Sequence, residues 1–242
     1  MSKQHSTAST APDGFVGFWQ QKWESITLYF SRGLMLLVGL VVLIVAAWAI
    51  SQYLDKRKEQ STESLGRALK IAEANLIAET EKDVEQSEEV PRFKTAKERT
   101  DSAMKVLGDL DKDFSSTPAA LRAVLVKASL AYDQGRYADA EALYRRFVDS
   151  KPVEQALVLM AQEGIGLCAE ARGDLAAAQA AFVAQAAGDL FKERSQWNQA
   201  RVYAKQGNKP KAVEIYKEML GKGDPKSSLR DDIQNRLSQL EQ

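Results

Sequence analysis

The chain has 242 residues, and its 33 Lys and Arg side chains are balanced by 33 Asp and Glu, so no overall charge attracts it to nucleic acid. Glycine and proline are scarce, at 14 and 6 residues, which favours a helical fold over a turn-rich β fold. One cysteine, Cys168, and one histidine, His5, exclude a disulfide framework, a CxxC redox pair, His- or Cys-based metal sites and conventional Ser-His-Asp or Cys-His catalysis.

The N-terminal segment has a pattern of its own. Residues 1–14 are small and polar and are predicted to form a disordered tail. Over residues 15–32, large apolar side chains recur at steps of three and four. This spacing predicts either an amphipathic, interfacial helix or an extension of the membrane anchor that follows. The apolar residues are Phe15, Phe18, Trp19, Trp23, Ile26 and Phe30.

A long apolar run follows this segment. Residues 33–50 contain no charged side chain, and as a helix extended to Tyr53 the run is about 30 Å long, enough to cross the hydrocarbon core of a bilayer. We therefore predict a single transmembrane helix over residues 33–53. The alternative is a cleaved signal peptide, because residues 47–49 have the small-residue spacing of a cleavage site. The length of the run and of the segment before it oppose that alternative.

The charges that flank the run bear on its orientation. Residues 12–32 contain two Lys or Arg side chains, whereas residues 51–70 contain five. By the positive-inside rule, this distribution keeps the C-terminal domain in the cytoplasm. Long domains are nevertheless translocated largely regardless of flanking charge, so the charge count alone does not decide the orientation.

Three stretches of the remaining chain repeat the same residue types around Gly135, Gly173 and Gly207. A small residue lies seven positions before each glycine, an alanine five positions after it, and an aromatic residue four positions after the alanine. In chain order these residues are Ala128, Ala140 and Tyr144; Gly166, Ala178 and Phe182; and Ala200, Ala212 and Tyr216. Glycine suits the turn between two helices, small residues let the helices approach closely, and the aromatic fills the gap to the next pair.

This series, with Pro152 and Pro225 after the first and third units, resembles the tetratricopeptide repeat family of 34-residue helical hairpins. The resemblance implies an all-α fold in which the transmembrane helix precedes a right-handed α-solenoid, with three tetratricopeptide-like repeats over residues 119–225. The step from Gly135 to Gly173 is four residues longer than the family repeat. We place the extra residues either in the linker 149–155 or in a longer helix.

Two further elements flank the predicted repeats. Residues 55–118 are predicted to form an N-terminal helical hairpin with a turn at 87–91, and residues 226–242 a capping helix that begins at Ser228. Each helix has an apolar stripe at helical spacing. The stripes are Leu65, Leu69, Ala72 and Leu76; Phe93, Ala96, Thr100, Ala103, Leu107, Leu110 and Phe114; and Leu229, Ile233, Leu237 and Leu240.

Motifs with catalytic chemistry are missing from the sequence, which contains no HExxH, GxSxG or GxxxxGK[ST] pattern. The glycines at 164–166 and 221–226 follow no predicted strand, so neither stretch is expected to hold a phosphate. Cys168 is expected to be an inert core thiol. The acidic run 79–89 is interpreted as a solvated helix end, with cation or basic-partner binding as the alternative. We predict no enzymatic activity, cofactor or metal.

The concave surface of the stacked hairpins is the predicted site of partner binding, because first helices of such repeats line one groove. Trp197, flanked by Arg194 and Arg201, is the predicted anchor, since large aromatics and arginine dominate interface energies. The alternative for Trp197 is packing against the capping helix. The predicted partner-binding residues are Arg122, Ser129, Tyr132, Asp133, Glu163, Glu170, Arg194, Trp197, Arg201 and Lys205.

An N-terminal anchor, a helical hairpin and a short repeat array together resemble the bacterial ancillary Sec translocon subunit family, over roughly residues 30–220. The resemblance implies a single-pass protein of the bacterial inner membrane with a periplasmic repeat domain. Its implied partners are the Sec translocon, periplasmic chaperones and emerging polypeptides, with no nucleic acid. The alternatives are a cytoplasm-facing scaffold, a regulatory subunit of a membrane enzyme or transporter, and an envelope-assembly or division-coordinating repeat protein.

Overall fold

The computed structural model describes residues 14–76, 92–186 and 191–242, with the side chains of 15–33 described only at Phe18, Lys22 and Trp23. Over these ranges the fold is all-α, as predicted: no described residue lies in a strand, and one isolated bridge joins Leu76 to Phe93. The predicted tail (described only at Gly14), the acidic run 79–89 and the turn at 87–91 lie outside the described residues. The helices of the described ranges are α1 (Gly14–Glu73), α2 (Ala96–Asp113), α3 (Pro118–Asp133), α4 (Tyr137–Asp149), α5 (Gln155–Ala171), α6 (Leu175–Gln185), α7 (Lys192–Lys205), α8 (Lys209–Lys222) and α9 (Arg230–Leu240).

Helix α1 contains the apolar run, and the chain divides into two compact units between Lys56 and Arg57. The most apolar window of the stretch Leu34–Glu73 has a mean hydropathy of 2.8, and none of it is buried. Leu36, for example, is 77% exposed. By length and composition this helix is a candidate membrane span, because contiguous exposed apolar surface of this kind marks a membrane or protein contact.

The three glycines of the sequence repeat lie at the turns that join α3 to α4, α5 to α6 and α7 to α8. Gly135, Gly173 and Gly207 have φ angles of 73°, 82° and 81°, in the left-handed region that side chains with a Cβ rarely adopt. A Cβ at these positions would meet no atom within 4 Å, so the requirement for glycine is conformational rather than steric. The predicted helical hairpins and their turns are therefore confirmed.

Aromatic rings from the second helices of the first two hairpins are seated on glycines of α5. The Tyr144 ring of α4 lies against Gly164, where an added Cβ would be 2.4 Å from the ring. The Phe182 ring of α6 lies against Gly166, with a corresponding distance of 2.5 Å. These two contacts explain the paired glycines at 164 and 166. Tyr144 fills the gap to the next hairpin, as predicted, whereas the contact of Phe182 with Gly166 lies within its own hairpin.

The longer first repeat step comes from longer helices. Helices α4 and α5 comprise 13 and 17 residues, whereas α6 and α7 comprise 11 and 14. The connection from α4 to α5 spans residues 150–154 and contains Pro152, while Pro225 follows the end of α8. Of the two placements left open by the sequence, the extended helix is therefore the one observed.

The buried stripe at the C-terminal end of α1 agrees with the prediction at Leu65 and differs beyond it. Leu65, Ala68 and Ile71 are buried at 9%, 0% and 2% exposure, whereas the predicted Leu69 and Leu76 are 38% and 44% exposed. Leu65 and Ala68 belong to a core cluster with residues of α2 and α3. The prediction followed the spacing of leucines, whereas steps of three from Leu65 lead to Ala68 and Ile71 on the same side of the helix.

Helix α9 covers the last hairpin, with Ile233 buried and Leu229, Leu237 and Leu240 packed around the same cluster. Its predicted start is wrong. The N-cap residue is Leu229 rather than Ser228, and no side chain caps the helix. The backbone N–H of Leu229 instead donates to Ser227 Oγ at 3.1 Å. The Ser227 hydroxyl therefore stabilises the turn before α9 and does not cap the helix.

Candidate functional site

The first helices of the second and third hairpins, α5 and α7, are joined by buried carboxylates. Glu163 Oε1 accepts hydrogen bonds from Arg194 Nε at 2.6 Å and from Asn198 Nδ2 at 3.0 Å. The Glu163 side chain is 10% exposed, whereas that of Arg194 is 60% exposed. The carboxylate is therefore largely removed from water while its cationic partner remains solvated on one side, an arrangement in which the hydrogen bonds offset the desolvation of the carboxylate.

Glu170 makes the second of these connections, two helical turns further along α5. Its Oε1 contacts Arg201 Nη1 at 2.5 Å and Lys205 Nζ at 2.6 Å, and the side chain is only 4% exposed. Glu170 Oε2 is buried and has no hydrogen-bond partner among the residues that the structure describes. Both cations thus bind the same oxygen, and they hold a carboxylate that is otherwise surrounded by protein.

We call Glu163, Glu170, Arg194, Asn198, Arg201 and Lys205 the glutamate network. Two of its pairs have the same separation of 31 residues, one between Glu163 and Arg194 and one between Glu170 and Arg201. Five of these residues were predicted from the sequence to lie on one face, without their pairing, and Asn198 was not predicted. One pattern in the sequence could have predicted the pairing: the two glutamates are seven residues apart, and so are the two arginines.

The predicted residues of the first hairpin lie in separate local contacts. Arg122 pairs with Glu154 at 2.8 Å, with both side chains about half exposed. Burial raises the pKa of Tyr144 to about 12, and a side-chain hydrogen bond with Ser129 opposes that shift. Asp133 lines a cleft of about 900 Å³ with Arg136 on the side of α2. The structure therefore does not bring Arg122, Ser129 and Asp133 into the glutamate network.

Tyr132 connects the first hairpin to the network electrostatically. Its ring packs edge-on against Tyr137 with centroids 5.2 Å apart. Burial raises the pKa of Tyr132, with a contribution from the negative charge of Glu170 and an opposing one from Arg201. Tyr132 therefore lies within electrostatic range of the Glu170 and Arg201 pair, although it makes no described hydrogen bond to either.

Trp197, the predicted anchor, is partly buried between the two helices of the last hairpin and the capping helix. Its ring lies 5.5 Å from that of Tyr216 and is tilted by 51°. Both rings belong to the cluster that includes Ile233 of α9. Trp197 therefore shares a cluster with the capping helix, the alternative predicted for it, and remains partly exposed.

A cleft of about 340 Å³ opens between α7, α8 and α9. Its basic residues are Arg201 and Lys205 of the glutamate network and Arg236 of the capping helix. Sequence reasoning missed Arg236, because it treated α9 only as a polar-backed cap. The remaining lining residues are Ala204, Tyr216, Gln239 and Leu240.

Groups with reactive or metal-binding chemistry are few in the described part of the chain. There, no group of three or more His, Cys, Asp or Glu side chains is placed to hold a metal ion. Cys168 is fully buried, and burial raises the pKa of its thiol to about 11. A thiol with this pKa is protonated near neutral pH and a poor nucleophile.

The sequence of residues 18–242 matches the family described as the tetratricopeptide repeat-like domain. No curated protein matches the chain. Repeat domains of this type are generally non-catalytic modules for protein–protein interaction. The glycine turns, the aromatic rings seated on small residues and the stacked hairpins are the physical basis of this match. The chain belongs to the tetratricopeptide repeat-like domain family.

Proposed function

We propose that this protein is a membrane-anchored adaptor of the bacterial inner membrane that holds partner proteins at the exit of the Sec translocon. The observation that supports the proposal is the combination of a 60-residue helix, whose most apolar window is wholly exposed, with a repeat domain of an interaction family on the same chain. The apolar helix would fix the repeat domain at the membrane surface, where periplasmic chaperones and emerging polypeptides meet.

The proposed partner-binding surface is the face of the first helices α3, α5 and α7. It comprises the ten residues predicted from the sequence, of which five form the ion pairs of Glu163 and Glu170. Arg194 and Lys205 are each more than half exposed despite their pairing. Cations held in place by buried carboxylates lose little further conformational entropy when a partner binds, which favours specific recognition.

The proposed arrangement has a disordered tail over 1–14, an interfacial segment over 15–32, a transmembrane helix over 33–53 and the helical domain in the periplasm. The larger number of basic residues after the apolar run favours the opposite orientation, with a cytoplasm-facing scaffold as the second candidate function. We favour the periplasm because long domains are translocated largely regardless of flanking charge.

The decisive experiment is protease digestion of intact spheroplasts, with a cytosolic protein as an internal control. Under the proposal, the domain from Arg57 onwards is digested while the cytosolic marker survives. Protection of the domain until the membrane is lysed would place it in the cytoplasm, and the translocon-exit proposal would then be rejected in favour of the scaffold.

Site-specific photo-crosslinking tests the proposed surface in the same cells. Met160 on α5 and Val183 on α6 are apolar side chains with nearly equal exposure, at 51% and 53%. A crosslinker at Met160 is expected to capture the export channel, a chaperone or an emerging chain, whereas the matched crosslinker at Val183 is not. Equal capture from both positions would argue against the first-helix face as the binding surface.

A further inference from the structure

The cleft between α7, α8 and α9 has an excess of positive charge. Arg201, Lys205 and Arg236 line it, and Glu170 is the carboxylate paired with the first two. Arg236 forms no ion pair with another described residue, and its described hydrogen bond is a long one of 3.5 Å to Gln239 Oε1. Three cations against one carboxylate leave a local excess of two positive charges at the cleft.

The two network cations are held in place from beneath the cleft. Glu170 binds both through one oxygen, and Asn198 Oδ1 accepts a further hydrogen bond from Arg201 Nη2 at 3.1 Å. A lysine ammonium has three donors and an arginine guanidinium five, so each cation retains donors that these contacts do not use. Lys205, whose side chain is 53% exposed, can donate its remaining hydrogen bonds to a ligand. The cations are therefore positioned before any ligand arrives.

The remaining wall of the cleft is apolar and aromatic, formed by Ala204, Tyr216 and Leu240. Burial raises the pKa of Tyr216, while the charges of Arg236 and Arg201 oppose that shift. Both guanidinium groups therefore lie close to the phenol, at the boundary between the charged and apolar parts of the wall. A volume of about 340 Å³ is at the lower end of the range for ligand pockets, about 300 to 1,000 Å³.

We propose that this cleft binds an acidic side chain of a partner polypeptide, with the cations of Arg201, Lys205 and Arg236 on the carboxylate and a neighbouring apolar side chain against Tyr216 and Leu240. Charge complementarity selects the carboxylate, and the mixed wall selects a polypeptide over a free anion, which would leave the apolar half unused. The inference deepens the proposed function and rests on it only in taking the partner to be a protein.

Direct binding of labelled peptides to the purified full chain tests this inference. The chain is placed in nanodiscs of zwitterionic lipid, which offer no competing negative surface. The probe is a fluorescein-labelled peptide in which glutamates alternate with leucine and phenylalanine, and its counterpart has glutamine in place of every glutamate. We expect the acidic peptide to bind at least about tenfold more tightly than the amide peptide, because charge-assisted hydrogen bonds are the stronger ones.

Arg236→Ala is the informative variant, since within the described ranges Arg236 has no ion pair whose loss would leave a buried carboxylate without its partner. It should weaken binding of the acidic peptide about tenfold and leave binding of the amide peptide unchanged. Lys192→Ala is the matched control, because it removes one exposed cation at the other end of α7, away from the cleft. A thermal unfolding curve for each variant shows that the fold is retained.

Three results would overturn the inference: no binding of the acidic peptide, equal binding of the two peptides, or full binding by Arg236→Ala. Displacement of the peptide by an equal concentration of inorganic phosphate would likewise show a simple anion site. Binding to phosphatidylglycerol vesicles that Arg236→Ala abolishes, without binding of the acidic peptide, would show a lipid site instead. The peptide assay contains no translocon, so a negative result rejects the proposed cleft alone. A negative result in the spheroplast experiment rejects the translocon-exit proposal instead.

Discussion

Helix α5 meets its neighbours through contacts of two different chemistries. Gly164 and Gly166, on nearly opposite sides of the helix, receive aromatic rings from α4 and α6, whereas the glutamate face, at Glu163 and Glu170, receives cations and an amide from α7. The first contact depends on volume and the second on matched hydrogen bonds to groups that have lost water. Repeats of one family can therefore be joined by shape on one side and by charge on the other.

The largest expected effect is on the glutamate face. Replacing Arg201 and Lys205 together by alanine leaves the carboxylate of Glu170, 4% exposed, without a counter-charge. We expect the free energy of unfolding to fall by about 3 to 5 kcal/mol, the usual result of removing the partners of a buried charge. Chemical denaturation followed by circular dichroism measures this change.

Adding Glu170→Gln to the same double variant provides the control. Because the buried charge is then removed as well, part of the lost stability should return. A triple variant that is less stable than the double variant would show that the glutamate stabilises the domain by shape alone, and the contrast between the glycine contacts and the glutamate face of α5 would lose its basis.

The glycine contact at Gly166 is tested by making the same substitution there and at a glycine of α2 that has open space around it. Gly166→Ala places a Cβ 2.5 Å from the fully buried Phe182 ring, and overpacking of this kind typically costs about 1 to 3 kcal/mol. In α2, Gly108 has no atom within 4 Å of an added Cβ. There the same substitution should stabilise by about 0.5 to 1 kcal/mol through helix propensity.

The two glycine substitutions are therefore expected to shift the melting temperature in opposite directions. If both raised it, the ring of Phe182 would have to move without cost, and Gly166 would not be a site of tight packing. Replacing glycine by alanine lowers the entropy of the unfolded chain to the same extent at both positions, so the difference between the two variants reports on the folded state.

A smaller effect is expected from a less deeply buried carboxylate at the junction of α2, α3 and α4. Asp111 is 15% exposed, receives two hydrogen bonds of 2.7 Å from Arg146, and pairs with Lys127 at 3.2 Å. The hydrogen bonds from Arg146 hold the pKa of Asp111 below its usual value of 3.8. Asp111→Asn should cost about 1 kcal/mol of stability near pH 7.

The sign of the pH dependence follows from the lowered pKa of Asp111. Its contribution is fully present above pH 3.8, the unfolded value, and is lost as the pH falls through the lower folded value. The stability difference between the native chain and Asp111→Asn should therefore shrink below about pH 4. Asp109→Asn, at an exposed position of the same helix, is the control. A difference that persists unchanged at low pH would contradict the ion-pair explanation.

Local requirements of the backbone and of close packing could be predicted from the sequence. The left-handed turns at Gly135, Gly173 and Gly207 depend on one residue each, and no other residue type adopts that conformation as easily. The ring of Phe182 and the small residue at Gly166 recur at spacings set by helical geometry. The apolar run of α1 is likewise a property of consecutive residues.

The tertiary structure alone decided which polar groups meet. Glu170 and Arg201 are 31 residues apart, and Arg236 reaches the same cleft from the capping helix. Such contacts depend on the angles at which helices distant in sequence cross, and every charged residue of a helix face has several candidate partners before those angles are set. The same reason explains why Ala68 rather than Leu69 is buried: the sequence offered two adjacent apolar faces, and contact with α2 selected one.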